Sequence, residues 1–176
     1  MENPELVAER AAAAGADVAQ SMFRTSLSVE EKSSQVDLVT EADRTAQQRA
    51  IEIIRENDTA ATIVAEEDDA QKSLPDAGRA WVIDPIDGTT NFVHGVRVWT
   101  TSVALVDDGT PVAAANVAPA LGDRYVVRNG ALTRNDEPVS VSTTADLAGF
   151  VTASTLRLEP DDGETFGPLA RVALQR

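Results

Sequence analysis

The sequence contains no cysteine. Disulfides, thiolate metal centres and a cysteine nucleophile are therefore excluded. Histidine occurs once, at His94. A phosphohistidine is chemically conceivable there, and an ordinary loop or core position is the simpler reading. Lysine is almost missing, present only as Lys32 and Lys72. With 29 acidic against 15 basic residues the net charge is −14. A chain this acidic repels nucleic acid and anionic membrane, so neither is an expected partner. Low lysine with abundant Asp, Glu and Ala looks like a protein of a high-salt cytoplasm, where the screening length shrinks to a few ångströms. No apolar run approaches the roughly 20 residues of a membrane-spanning helix. The opening "MENPELVAER" is acidic and polar, which argues against a signal peptide and for a cytoplasmic protein.

What is present suits a globular fold. The chain has 176 residues, 43% of them apolar, enough for a sizeable core. Residues 3–24 read as a helix, with Asn3 as N-cap, Pro4 as first helical residue, and Val7, Ala11, Ala14, Val18 and Met22 on one face. Residues 25–39 read as a polar connection. A second helix is predicted over 41–56, with Ala46, Ala50, Ile53 and Ile54 as its buried stripe and Thr40 as a possible cap. Short apolar runs follow at 61–68 and 80–85, each ending in carboxylate. Strands are predicted at 98–106, 111–118, 123–128, 139–142 and 149–156. Turns are read at 107–110 and at Asn129–Gly130. A loop at 160–163 precedes a helix over 164–176. The expected fold is α/β, an α+β layered sandwich: two N-terminal helices on a largely antiparallel sheet, then the start of a second, truncated α/β unit. The expected domains are 1–145 and 146–176.

The stretch "WVIDPIDGTTNFVHG" (81–95) concentrates the chemistry. Asp84, Pro85 and Asp87 fit positions i, i+1 and i+3 of a tight turn, whose ends come within about 7 Å. Two carboxylates about 4 Å apart repel by roughly 4 kcal/mol at an effective dielectric of 20. One of them stays protonated unless a cation lies between them. Mg²⁺ is the usual hard, oxygen-seeking choice. Gly88 lets backbone approach a ligand closely. A helical turn starting near Thr89 and Thr90 would point free N–H groups at an anion. In "VAEEDD", Glu66 and Glu67 close a predicted strand; if its end meets that of "AWVID", up to four carboxylates surround one spot. Taken singly, these features have plainer readings: Asp-Gly as a turn, "AEEDD" as a solvated acidic loop, Asp43 as a capping-box acid three residues after Thr40. Trp81, Phe92 and Trp99 read as core.

In this order and spacing the motifs resemble the inositol monophosphatase family, within the lithium-sensitive, Mg²⁺-dependent phosphatases that include fructose-1,6-bisphosphatases. "WVIDPIDGTTNFVHG" is the central match; "KSSQVD" (32–37), "DLVTEAD" (37–43), "VAEED" (64–68) and "GDRYVVRNGA…NDEPVSVS" extend the likeness through nearly all of the chain. The resemblance implies a phosphate monoester hydrolase acting on inositol monophosphate or a related sugar phosphate, with fructose-1,6-bisphosphate as an alternative. It implies that Glu66, Asp84 and the Ile86 carbonyl hold a first Mg²⁺, and that Asp84 and Asp87 reach a second. Glu66 would help order a third metal and its water, with Lys32 nearby. Asp43 and Thr89 would orient the attacking water. Asp87 and the amides of Gly88 and Thr89 would bind the substrate, with Glu67 behind the metal ligands. A homodimer is also implied.

There are departures. Ala65 stands where the family usually has glycine, and the turn region 129–136 is shortened. The only tryptophans are Trp81 and Trp99, so a later Trp-Asp motif that completes the second metal site is missing. A non-catalytic, metal-binding phosphatase-like domain is therefore the rival expectation. "DPIDGT" also resembles the DxDGT motif of aspartyl-nucleophile phosphatases. Two residues rather than one separate the aspartates, which misplaces the acid for that chemistry.

Overall fold

The computed structural model describes residues 3–25, 29–32, 37–67, 70–128 and 130–146, and only the backbone of 29–32 and 37–40. Two compact units divide at Ser140/Val141. The second, 141–176, is described only at 141–146, an exposed stretch outside helix and strand. The strand expected at 149–156, the loop at 160–163 and the helix over 164–176 lie outside the described residues, as does nearly all of the domain expected at 146–176.

Helix α1 spans Pro4–Met22. Its start follows the sequence: the Asn3 side chain accepts from Glu5 N–H at 2.9 Å, and Pro4 occupies the first turn, where its missing N–H costs nothing. The buried face is Val7, Ala8, Ala11, Ala12, Gly15, Ala16 and Ala19. The expected face is thus rotated, with Ala14, Val18 and Met22 only partly buried. The smallest residues face inward because α1 packs closely on a second helix. A Cβ at Gly15 would lie 3.1 Å from the Ala46 carbonyl oxygen and 3.1 Å from the Thr101 methyl.

The connection read as polar coil contains a hairpin, β1 (Val29–Lys32) paired antiparallel with β2 (Asp37–Thr40). Helix α2 follows at Glu41–Asn57 and buries Ala46, Ala50, Ile53 and Ile54 as expected, together with Asp43 and Gln47.

Seven strands form one sheet in sequence order: β3 (Thr62–Ala65), β4 (Arg79–Asp87), β5 (Thr100–Asp107), β6 (Thr110–Ala118), β7 (Asp123–Arg128), β8 (Ala131–Arg134) and β9 (Glu137–Pro138). Only β3 and β4 run parallel; every later neighbour is antiparallel. The β5–β6 hairpin turns through Asp108 (φ 47°) and Gly109 (φ 76°), the positive pair such a turn needs. The strand expected at 139–142 does not form. The chain instead turns at Asn135 (φ 51°) and Asp136 (φ 69°) into β9.

The core lies between the helices and one sheet face. Trp81 and Ile83 of β4, Val103 and Leu105 of β5, Ala113 and Ala115 of β6 and Val126 of β7 pack with the α1 and α2 apolar residues. A second cluster joins Ala19, Ala42, Ala46, Ile86, Phe92 and Trp99, with Phe92 and Trp99 edge-to-face at 4.9 Å. No helix among the described residues is long and apolar enough to cross a membrane.

Candidate functional site

The site grows from the carboxyl end of β4. The expected tight turn at 84–87 is a bulge inside a continuous strand. Asp84 pairs with Ser102 and Asp87 with Thr100, so three steps on β4 oppose two on β5. Strict alternation would send residues 84 and 87 to opposite faces. The extra residue reverses that parity, and both aspartates sit opposite β5 residues that share a face. Thr100 and Ser102 confirm the sharing, with hydroxyls 3.3 Å apart. Pro85 is tolerated because a bulge leaves a backbone N–H unpaired anyway. The Pro85 carbonyl is taken by the buried Thr101 hydroxyl at 2.7 Å.

The parallel pairing of β3 and β4 brings their ends together. The last pair is Ala65 with Ile83, which sets Glu66 level with Asp84. Beyond the bulge, Gly88 turns the chain at φ 95° into the short helix α3 (Thr89–Val93). A side chain there would be strained, and its Cβ would approach the Val98 carbonyl oxygen at 3.1 Å. The Thr89 hydroxyl lies 3.0 Å from the Ile86 carbonyl and 3.4 Å from Asp43 Oδ1, which links α2 to the end of β4. Asp43 is buried, more than a capping acid at the helix surface would be.

The electrostatics centre on Asp84. Burial pushes its carboxyl up from 3.8 to about 7, and the charges of Glu66, Asp87 and Asp43 push the same way; a hydrogen bond from the Ile86 backbone opposes them. Its Oδ1 is buried with no hydrogen-bond partner. An orphaned carboxylate oxygen held among three further acids is a seat for positive charge. Among the described residues, no three histidine, cysteine or acidic side chains converge tightly enough to form a ready-made ion cage. Mg²⁺ asks for less than that, since it keeps several waters and takes one or two carboxylates. The donor set, all oxygen, fits a hard cation.

Of the residues singled out in the sequence, the structure gathers Asp43, Glu66, Asp84, Ile86, Asp87, Gly88 and Thr89 around the ends of β3 and β4. Lys32 lies in β1 opposite Asp37, with its side chain outside what is described. His94 caps α3 and is exposed. Trp81, Phe92 and Trp99 are core residues as expected.

Three residues escaped the sequence reading. Thr101 closes the bulge. Gln47 clasps the Glu67 backbone, donating from Nε2 to its carbonyl at 3.0 Å and accepting from its N–H at 2.7 Å. Lys72 donates to the carbonyls of Ala65 (3.1 Å) and Glu66 (2.6 Å). Gln47 had a signal: it falls four residues after Asp43 and three before Ala50, on the stripe that α2 buries.

Comparison with known proteins agrees with this architecture. The inositol monophosphatase family matches residues 2–174. The chain is 38% identical over 145 residues to an inositol-1-monophosphatase of Synechocystis sp., covering 81% of this chain and 50% of that protein. It is 39% identical over 120 residues to a fructose-1,6-bisphosphatase/inositol-1-monophosphatase of Thermotoga maritima, covering 68% and 45%. Among solved structures, the inositol monophosphatase of Anabaena (Nostoc) sp. superposes with a TM-score of 0.67 at 29% identity, covering 81% of this chain and 50% of that one. The chain spans about half the length of the curated relatives it matches. With its α/β fold, its bulged acidic strand end and a match along almost its whole length, the chain belongs to the inositol monophosphatase family of phosphatases.

Proposed function

We propose that this site hydrolyses a phosphate monoester of a small polyol or sugar, inositol monophosphate in the first place, in a Mg²⁺-dependent reaction. The observation that carries the reading is Asp84: a half-buried carboxylate with an orphaned oxygen, set among Glu66, Asp87 and Asp43. In this reading Glu66, Asp84 and the Ile86 carbonyl hold one cation, and Asp84 with Asp87 reaches a second. When bound, the metal supplies positive charge to phosphoryl oxygens and makes water more acidic.

The chain's own residues do the rest. Thr89 has one hydroxyl proton and two acceptors in reach, Ile86 O and Asp43. Turned toward Asp43, that proton leaves the Oγ lone pairs open to accept from a water. Asp43, buried behind Thr89, keeps the hydroxyl aimed. In this reading the backbone N–H groups of Gly88 and Thr89, at the turn into α3, orient the phosphate. Glu66 and Lys32 help order the water that attacks phosphorus.

The test is phosphate release from inositol 1-phosphate and fructose 1,6-bisphosphate, with and without Mg²⁺, at high salt. Release that requires Mg²⁺ and prefers the inositol ester is the expected result. Equal release with a chelator present overturns the metal reading. A preference for the bisphosphate favours the alternative that the Thermotoga relative's name carries. A rival reading is a metal-binding domain without turnover. Mg²⁺ uptake with no release from any ester would establish it.

A further inference from the structure

We infer that Gln47 is a positioning residue that sets the reach of Glu66 toward a divalent cation. This rests on the reading of Glu66 as a metal ligand. Glu66 is exposed and lies just past the end of β3, where sheet pairing no longer fixes its backbone. Something else must hold it. The next residue, Glu67, is buried, and the Gln47 side chain takes both of its backbone groups at 3.0 and 2.7 Å. A carboxamide is suited to this because it donates and accepts in one plane. It is also neutral: a glutamate of the same size would add charge near Asp43, Glu66 and Asp84 and could not donate to the Glu67 carbonyl. Gln47 is itself buried on rigid α2, one turn after Asp43. One helix face thus carries Asp43, which meets Thr89, and Gln47, which fixes the segment bearing Glu66. The Lys72 ammonium holds the same segment from the other side through the Ala65 and Glu66 carbonyls. The segment bearing Glu66 is thereby held from α2 and from Lys72 without a further negative charge beside Asp43 and Asp84.

The test uses Mn²⁺ as probe, with affinity read by the loss of its free-ion EPR signal on the full chain. Gln47→Met keeps the volume and removes both hydrogen bonds. It is expected to weaken Mn²⁺ binding about tenfold, the usual cost of losing support behind a metal ligand. In a Glu66→Gln background the same substitution should change affinity by less than about twofold, because the ligand it acts through is gone. A purely structural role predicts equal losses in both backgrounds, and that result overturns the inference. Should Gln47→Met fail to fold, Gln47→Leu is also neutral, removes both hydrogen bonds and serves in the same cycle. No Mn²⁺ uptake by the unsubstituted chain overturns the reading of the site, and the inference with it. Uptake unaffected by either Gln47 variant overturns the inference alone.

Discussion

The two halves of β4 obey different rules. From Arg79 to Ile83 the strand keeps register with both neighbours and sends Trp81 and Ile83 into the core. From Asp84 to Asp87 it bulges, carries a proline, exposes one acid and half-buries another beside like charges. The first half gains stability from apolar burial. The second half gives some of it up, and what it gains is two carboxylates on one face. Nine residues thus hold both the fold's regularity and the site's exception to it.

The largest effect should separate the halves by function. Asp87→Asn is expected to abolish Mg²⁺-dependent phosphate release while leaving the thermal midpoint nearly unchanged, since Asp87 is exposed. Undiminished release would break the assignment. Trp81→Ala should do the reverse. It should cost about 3–5 kcal/mol in a urea titration and leave the divalent affinity of the folded fraction unaltered.

A third experiment asks whether the site half really costs stability. The Asp84 carboxyl ionises near 3.8 when unfolded and near 7 when folded without metal. Between those values the folded state holds more protons than the unfolded one, so this group's contribution falls as pH rises through the window. Metal-free protein should therefore lose stability relative to Asp84→Asn between about pH 4 and pH 7. The two should converge below pH 4, by parallel thermal melts. A difference that grows toward low pH would contradict the sign. The smallest effect is at the start of the strand. Arg79→Ala removes an exposed ion pair with Asp107, 2.8 Å in length, and should cost less than about 1 kcal/mol.

The regular parts were legible in the sequence, and the exceptions were not. Apolar alternation located β4 to β7 to within a residue or two, and the caps of α1 were spelled out by Asn3 and Pro4. The buried face of α1 was misjudged because alanine fills several of its faces, leaving the periodicity little contrast. The hairpin of β1 and β2 was missed because "VEEK" is polar and too short to alternate visibly. The turn read at Asn129–Gly130 does join β7 to β8, with Gly130 at φ 76°, but the end of the sheet was misplaced because the next turn, at Asn135–Asp136, a pair suited to positive φ, was passed over. The acids of the site were readable as a motif. The bulge that orients them was not, since a register shift depends on the partner strand. Gln47 acts through the backbone of a residue 20 positions on, and Lys72 through carbonyls six and seven positions back, spacings that no helix or strand period records.

Gly15 gives the first helix a say in the chemistry. Its missing side chain leaves room for the Thr101 methyl, and the hydroxyl of that same threonine tethers Pro85, the residue between the two aspartates' strand segments. A methyl group added to α1 would press on one arm of Thr101 and loosen the other. The lever is only a few atoms long, yet its ends are 70 residues apart in sequence (15 to 85), so a change at Gly15 would reach the strand end that carries Asp84 and Asp87.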